Sequence, residues 1–199
     1  MFRYFAENIT FVLIKNKILN IKNRNIYVYA IEVILLNVIL LLSLLGISIL
    51  GKDLSCFMGF LLFFVPLRTF VGGYHAKHSE VCFGMSISIY MVVMIIFYNY
   101  PNLYKNIIVI SIYILAIITF LIWSPLKNEN HILTNYQYKR NRKILFGSIV
   151  INIIFFVFFS KMNYTIASYE IIFTVLASIF LIIGKLELYQ NKKEKSSWK

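Results

Sequence analysis

Charge is scarce in this chain, and acidic charge is the scarcest: 14% of its 199 residues are charged, with eight Asp and Glu against twenty Lys and Arg. A soluble domain of this size needs a polar shell. A chain with 60% hydrophobic and 17% aromatic residues and a mean hydropathy of +0.76 cannot build one, which excludes the soluble globular class. Two cysteines, Cys56 and Cys82, are too few for a disulfide framework, and one of them is left as a candidate working thiol. No internal repeat, low-complexity tract or linker divides the chain, so residues 1–199 are read as a single membrane domain. Residues 1–29 lack a compact apolar core followed by a small-residue cleavage site, so the N-terminal segment is expected to be retained. The basic excess does not point to nucleic acid. Its residues sit beside long apolar runs, where anionic lipid and membrane topology account for them.

What is present is apolar sequence in long stretches. Six runs lie near 30–50, 54–71, 82–100, 106–124, 144–160 and 166–184, each close to the length of about 17–25 residues that spans a bilayer. Backbone groups in hydrocarbon must be paired within their own segment, and these runs lack the alternation of a barrel strand, so they predict helices. The expected fold is all-α: a polytopic integral membrane protein of about six transmembrane helices. Ahead of them, Phe2, Phe5, Ile9 and Val12 recur at helical spacing, which predicts an amphipathic interfacial helix near the N-terminus. The chain 185–199 is read as a basic tail.

Short connections at Gly51–Asp53, Pro101–Lys105 and Lys161–Thr165 alternate with longer ones at Gly72–Val81 and Pro125–Lys143. This arrangement puts seventeen basic residues on the side of the termini and long connections, and only Lys52, Lys105 and Lys161 on the other. By the positive-inside rule, both termini and both long connections face the cytoplasm of a cell-membrane protein. Two acids lie within the apolar runs. Glu32 shares the side of Arg68 and Glu170 lies near Lys161, so ion pairing is the expected role for each.

One segment concentrates chemistry. RTFVGGYHAKHSEVC, Arg68 to Cys82, places an Arg, a Gly pair, two His, a Glu and a Cys at a membrane boundary. A thiol attacks carbonyls as its thiolate, and a free thiol with a pKa of about 8.5 needs a base or a positive charge nearby to do so at neutral pH. His75 can act as that base for Cys82, a pairing that cuts peptide bonds through an acyl-thioester. Seven residues of straight helix would separate the two by about 10.5 Å, so the pair requires the chain to bend between them. Gly72 and Gly73 favour irregular backbone just before His75.

Each residue also has a structural explanation. Cys82 can open a span as a small apolar residue, the histidines can be interfacial polar groups, the glycines can simply turn the chain, and Arg68 can snorkel from a helix end. A zinc-dependent hydrolase is a rival, because His75, His78, Glu80 and Cys82 are all potential ligands. Their spacing matches no strong metal signature, with neither HExxH nor paired CxxC, so no metal or other cofactor is expected. A transporter or assembly factor that uses the same loop as a gate is the non-enzymatic alternative.

The segment resembles the accessory gene regulator B (AgrB) family of bacterial membrane peptidases, which process the precursor of a cyclic quorum-sensing peptide. The family's pattern of Arg, a glycine pair, His-Ala and a Cys seven residues after the His reads here as Arg68, Gly72 and Gly73, His75 with Ala76, and Cys82. Chain length, apolar spans, basic character and Ser124–Pro125 at the exit of the fourth run extend the likeness. Asn130–His131–Ile132 departs from a second Asn-Lys-Pro feature common among relatives. The resemblance implies a cysteine endopeptidase with Cys82 as nucleophile, His75 as general base, and Arg68 with the glycine pair, chiefly Gly73, in support. It also implies a propeptide substrate with an amphipathic leader and an acidic tail, closure of a thiolactone or lactone ring, and a homodimer. Lys139, Arg140, Arg142 and Lys143 then have two readings: topological anchors, or a docking site for the acidic tail.

Overall fold

The computed structural model describes residues 2–71, 79–100, 102–126, 135–162 and 164–197, with backbone alone for 79–82 and 191–197. Every regular element among them is helical. A first helix, α1 (Phe2–Lys15), packs on the long α2 (Arg24–Leu50). α3 (Leu54–Gly59) and α4 (Val65–Val71) are joined by a wider π-helical stretch, Phe60–Phe64, into one rod from Leu54 to Val71. α5 (Ser79–Asn99), α6 (Ile107–Trp123), α7 (Asn135–Met162) and α8 (Tyr164–Ser197) complete the bundle. The six apolar runs therefore all fall on helices. Four of these, Ile21–Leu50, Leu54–Val71, Asn135–Met162 and Tyr164–Gln190, are long and apolar enough to cross a membrane. Ile107–Trp123 is a shorter apolar helix of about 25 Å, near the lower limit for a span, and the apolar stretch Phe83–Asn99 is part of the 21-residue α5, about 31 Å long.

Local chemistry sets several boundaries. Asp53 caps α3 by accepting from the Cys56 N–H at 3.2 Å, and Asn106 caps α6 through the Ile108 N–H at 2.9 Å. Lys52, with φ 54°, supplies the left-handed residue that reverses the chain between α2 and α3. The π-stretch has a cause in Pro66, which has no N–H to donate and whose ring would crowd the carbonyl four residues earlier. Widening the turn just before the proline relieves that crowding.

Two helices run further than their apolar stretches. The basic run Lys139–Lys143 belongs to α7 and not to the connection before it, and α8 continues through the basic segment that follows the last run. Lys, Arg, Gln and Glu are good helix formers, so a hydrophobic run can end while its helix continues.

α8 is the hub and the most buried of the four long spans. Along one half, Tyr169 and Phe173 pack with Leu44, Cys56, Phe60, Phe63, Tyr90 and Val93. Along the other half, Ala177 and Leu181 pack with Leu67, Val71, Phe120, Leu145 and Ile149. Polar ties within the first cluster join helices across the bundle: Ser48 hydrogen-bonds Tyr90, and the Tyr169 hydroxyl donates to the Asp53 carboxylate. α3 approaches α8 closely at Gly59, where a Cβ would lie 2.9 Å from that of Tyr169 and 3.4 Å from the Phe173 ring. Small residues let membrane helices come this close. Gly59→Ala should therefore push α3 off α8 and cost about 1–2 kcal/mol, read as a lower unfolding midpoint in detergent.

α1 buries Ala6 and Thr10 and turns Phe5, Ile9 and Val12 outward. Such a helix, apolar away from the protein, is suited to lie against lipid.

Candidate functional site

The bundle has two distinct ends. At one, the turn Gly51–Asp53, the α5 residues Met94, Ile95, Phe97 and Tyr98, and Thr165 at the start of α8 line a cavity of about 570 Å³. Ser79 lies fifteen residues before Met94 on α5, about 22 Å along the helix, which puts the start of α5 at the opposite end. Arg68 and Val71 at the close of α4, Trp123 and Ser124 at the close of α6, the first turns of α7 and Lys185 of α8 also belong to that opposite end.

Several contacts knit this second end together. The Leu126 N–H donates to the Val71 carbonyl at 3.1 Å, which ties the chain leaving α6 to the last residue of α4. The Arg68 guanidinium lies over the Phe180 ring, 5.0 Å from its centroid, and the Lys185 ammonium lies over the Trp123 ring at 3.6 Å. Arg68 is half-buried, held at a helix end by its aromatic neighbour on α8. Ser124 is 4% exposed, and its hydroxyl has no hydrogen-bond partner among the described residues.

Cys82 stands in the first turn of α5, on the side of the bundle that holds Arg68. Its side chain lies outside the described set, as do Gly72, Gly73, His75 and His78 altogether and the side chain of Glu80. Lys127 and the segment Asn130–His131–Ile132 are outside it too. The other cysteine is assigned clearly. Cys56 is fully buried in the first core cluster, so it is a packing residue out of reach of a substrate.

The four basic residues expected to act together divide on α7. Lys139, Arg142 and Lys143 share one face and line a cavity with Ser124, whereas Arg140 does not line it. The spacing i, i+3, i+4 on a helix carries that information, but only once 139–143 is known to be helical.

The two intramembrane acids do not pair as expected: neither Glu32 nor Glu170 forms an ion pair among the described residues, where Arg3 pairs with Glu7 at 3.6 Å. Glu170 is fully buried near Tyr113 and the Phe156 backbone, yet neither of its carboxyl oxygens has a partner with hydrogen-bond geometry among the described residues. Tyr113 donates to Asn152 Oδ1 at 3.0 Å, and Thr174 donates to the same oxygen at 3.3 Å. An unpaired carboxylate in such a place is costly. The isosteric neutral variant Glu170→Gln should thus be at least as stable as the parent in a detergent melt. A marked loss would show that the charge itself is needed.

A helical bundle of this kind, with long apolar helices and the cationic residues of α4, α7 and Lys185 of α8 gathered at one end, is that of a polytopic membrane protein. The family model of accessory gene regulator B (AgrB) matches residues 6–182, from α1 into α8, and the chain belongs to that family. No curated protein and no solved structure matches it. Membership in the family is consistent with a role in processing an autoinducing peptide.

Proposed function

We propose that this protein is a membrane cysteine endopeptidase that cuts the C-terminal part from a quorum-sensing propeptide and promotes closure of a ring in the remainder. The observation that carries this reading is family membership over residues 6–182, a range that includes Arg68, His75 and Cys82 in the spacing of the family motif. The burial of Cys56 supports it further, since it leaves Cys82 as the cysteine suited to meet a substrate.

In this mechanism His75 takes the Cys82 thiol proton as the sulfur attacks a backbone carbonyl of the precursor. The C–N bond breaks as the C–S bond becomes a thioester, and His75 hands the proton to the departing amine of the tail. A Cys or Ser side chain of the precursor then attacks the thioester, closes a thiolactone or lactone, and returns the thiol of Cys82. The acyl group survives long enough for this exchange because a site at the membrane boundary limits water. Arg68 holds its end of α4 against α8 and sets the start of the segment that carries His75. The glycine pair allows that segment to turn. With both termini and this end of the bundle cytoplasmic, a newly made precursor with an amphipathic leader and an acidic tail reaches the site directly. A homodimer is the expected assembly of such a protein.

The test is cleavage by the full-length protein reconstituted in vesicles with a candidate precursor of that design. Release of the C-terminal fragment by the parent and its absence with Cys82→Ala supports the proposal. Equal release by both refutes it.

A further inference from the structure

Between the end of α6 and the start of α7 lies a cavity of about 560 Å³ with two unlike halves. Phe120, Leu121, Phe146 and Ile149 form an apolar half, and Lys139, Arg142 and Lys143 form a cationic one. None of the three cations forms an ion pair among the described residues. At the seam sits Ser124, buried, with a hydroxyl that has no partner there. A buried hydroxyl without a partner is a costly feature unless something supplies an acceptor.

We propose that this cavity is a binding site for one anionic phospholipid, whose phosphate accepts from Ser124, Arg142 and the two lysines while an acyl chain lies along Leu121 and Phe146, over the buried Phe120 and Ile149. Three observations favour a lipid over a polar peptide. The apolar walls are open on their outer side, with Leu121 44% and Phe146 60% exposed beside the apolar stretches of α6 and α7, so the cavity is entered from the hydrocarbon. The cations stand about one to three helical turns before Phe146 and Ile149 on α7, the order in which a lipid presents headgroup and chain. The donor set suits a phosphate: a guanidinium fork, two ammonium groups and a hydroxyl, with no carboxylate among the described lining residues. Basic pockets between membrane helices on the cytoplasmic side commonly hold anionic headgroups. The Val71–Leu126 hydrogen bond links this site to the base of the segment leading to His75. A bound lipid would therefore steady the exits of α6 and α4 together.

The experiment is native mass spectrometry and thermal melting of the full-length protein in neutral detergent, titrated with phosphatidylglycerol or with phosphatidylcholine. One phosphatidylglycerol should bind per chain and raise the melting temperature, with phosphatidylcholine much weaker. Arg142→Gln should reduce affinity about fivefold, and the triple variant Lys139→Gln, Arg142→Gln, Lys143→Gln on the order of a hundredfold. Arg140→Gln carries the same charge change just outside the cavity, and it should leave affinity unchanged. The single variants keep the test decisive if the triple variant does not fold. Equal loss from Arg140→Gln and Arg142→Gln would reduce the effect to diffuse charge and overturn the proposal. Binding of glycerol phosphate as tight as that of the lipid would remove the role of the acyl chain, with the same consequence. So would an acidic peptide that binds through Arg142 while phosphatidylglycerol does not. Because the readout is binding, failure here is separable from failure of the peptidase reading.

Discussion

His75→Ala in the full-length protein should slow precursor cleavage by about a thousandfold near neutral pH, the scale expected for loss of a positioned general base. The residual activity has a distinctive pH dependence. Without the histidine, the rate follows the fraction of Cys82 present as thiolate, so it should rise about tenfold per pH unit up to roughly the free-thiol value near 8.5. Cys82→Ala has no nucleophile and should remain inactive at every pH. Initial rates of fragment release between pH 6 and 9.5 separate these outcomes. A His75→Ala profile parallel to that of the parent would show that His75 does not act on the thiol.

Phe173→Ala should be the most damaging of the packing changes, at about 2–3 kcal/mol. Phe173 is 1% exposed on the hub helix, with ring centroids of Phe60, Phe64, Tyr90 and Tyr169 at 5.7, 6.0, 6.4 and 6.2 Å. In a soluble protein a buried Phe→Ala costs about 3–5 kcal/mol, part of which is transfer from water. Within a bilayer the separated helices keep their side chains in lipid, so that part disappears and the lost contacts and cavity remain. Phe158, 52% exposed and with Phe159 as its ring neighbour, provides the comparison. Phe158→Ala should cost about 1 kcal/mol or less, the value of a single aromatic pair. Unfolding titrations in mixed micelles read both, and equal costs would contradict the assignment of α8 as hub.

The helices were legible in the sequence because continuous apolar runs of spanning length have one physical outcome in a membrane. Their extents were less legible. The run Lys139–Lys143 resembles a polar connection, yet its residues are good helix formers and continue α7 outward. Pro66 was visible, but the widened turn that accommodates it depends on the helix around it. The association of residues at one end was partly legible: charge counting grouped Arg68 with Lys139–Lys143, and the structure places both at the same end. The backbone link from Leu126 to Val71 has no side-chain signature, and the orphaned hydroxyl of Ser124 becomes notable only when its burial is known. Of the two cysteines, the sequence singled out Cys82 through its place in the motif, while the packing role of Cys56 needed the structure, in which it shares its cluster with Phe60, Tyr90 and Tyr169.

The central claim is that Cys82 carries the acyl group, and the most direct measurement is to catch it there. The reconstituted protein is mixed with a precursor whose ring-closing Cys or Ser is replaced by Ala, quenched in acid, and mapped by peptide mass spectrometry. An N-terminal precursor fragment attached to Cys82 and released by hydroxylamine is the predicted result. A precursor cleaved at an undiminished rate by Cys82→Ala, or an acyl group found on another residue, would contradict it.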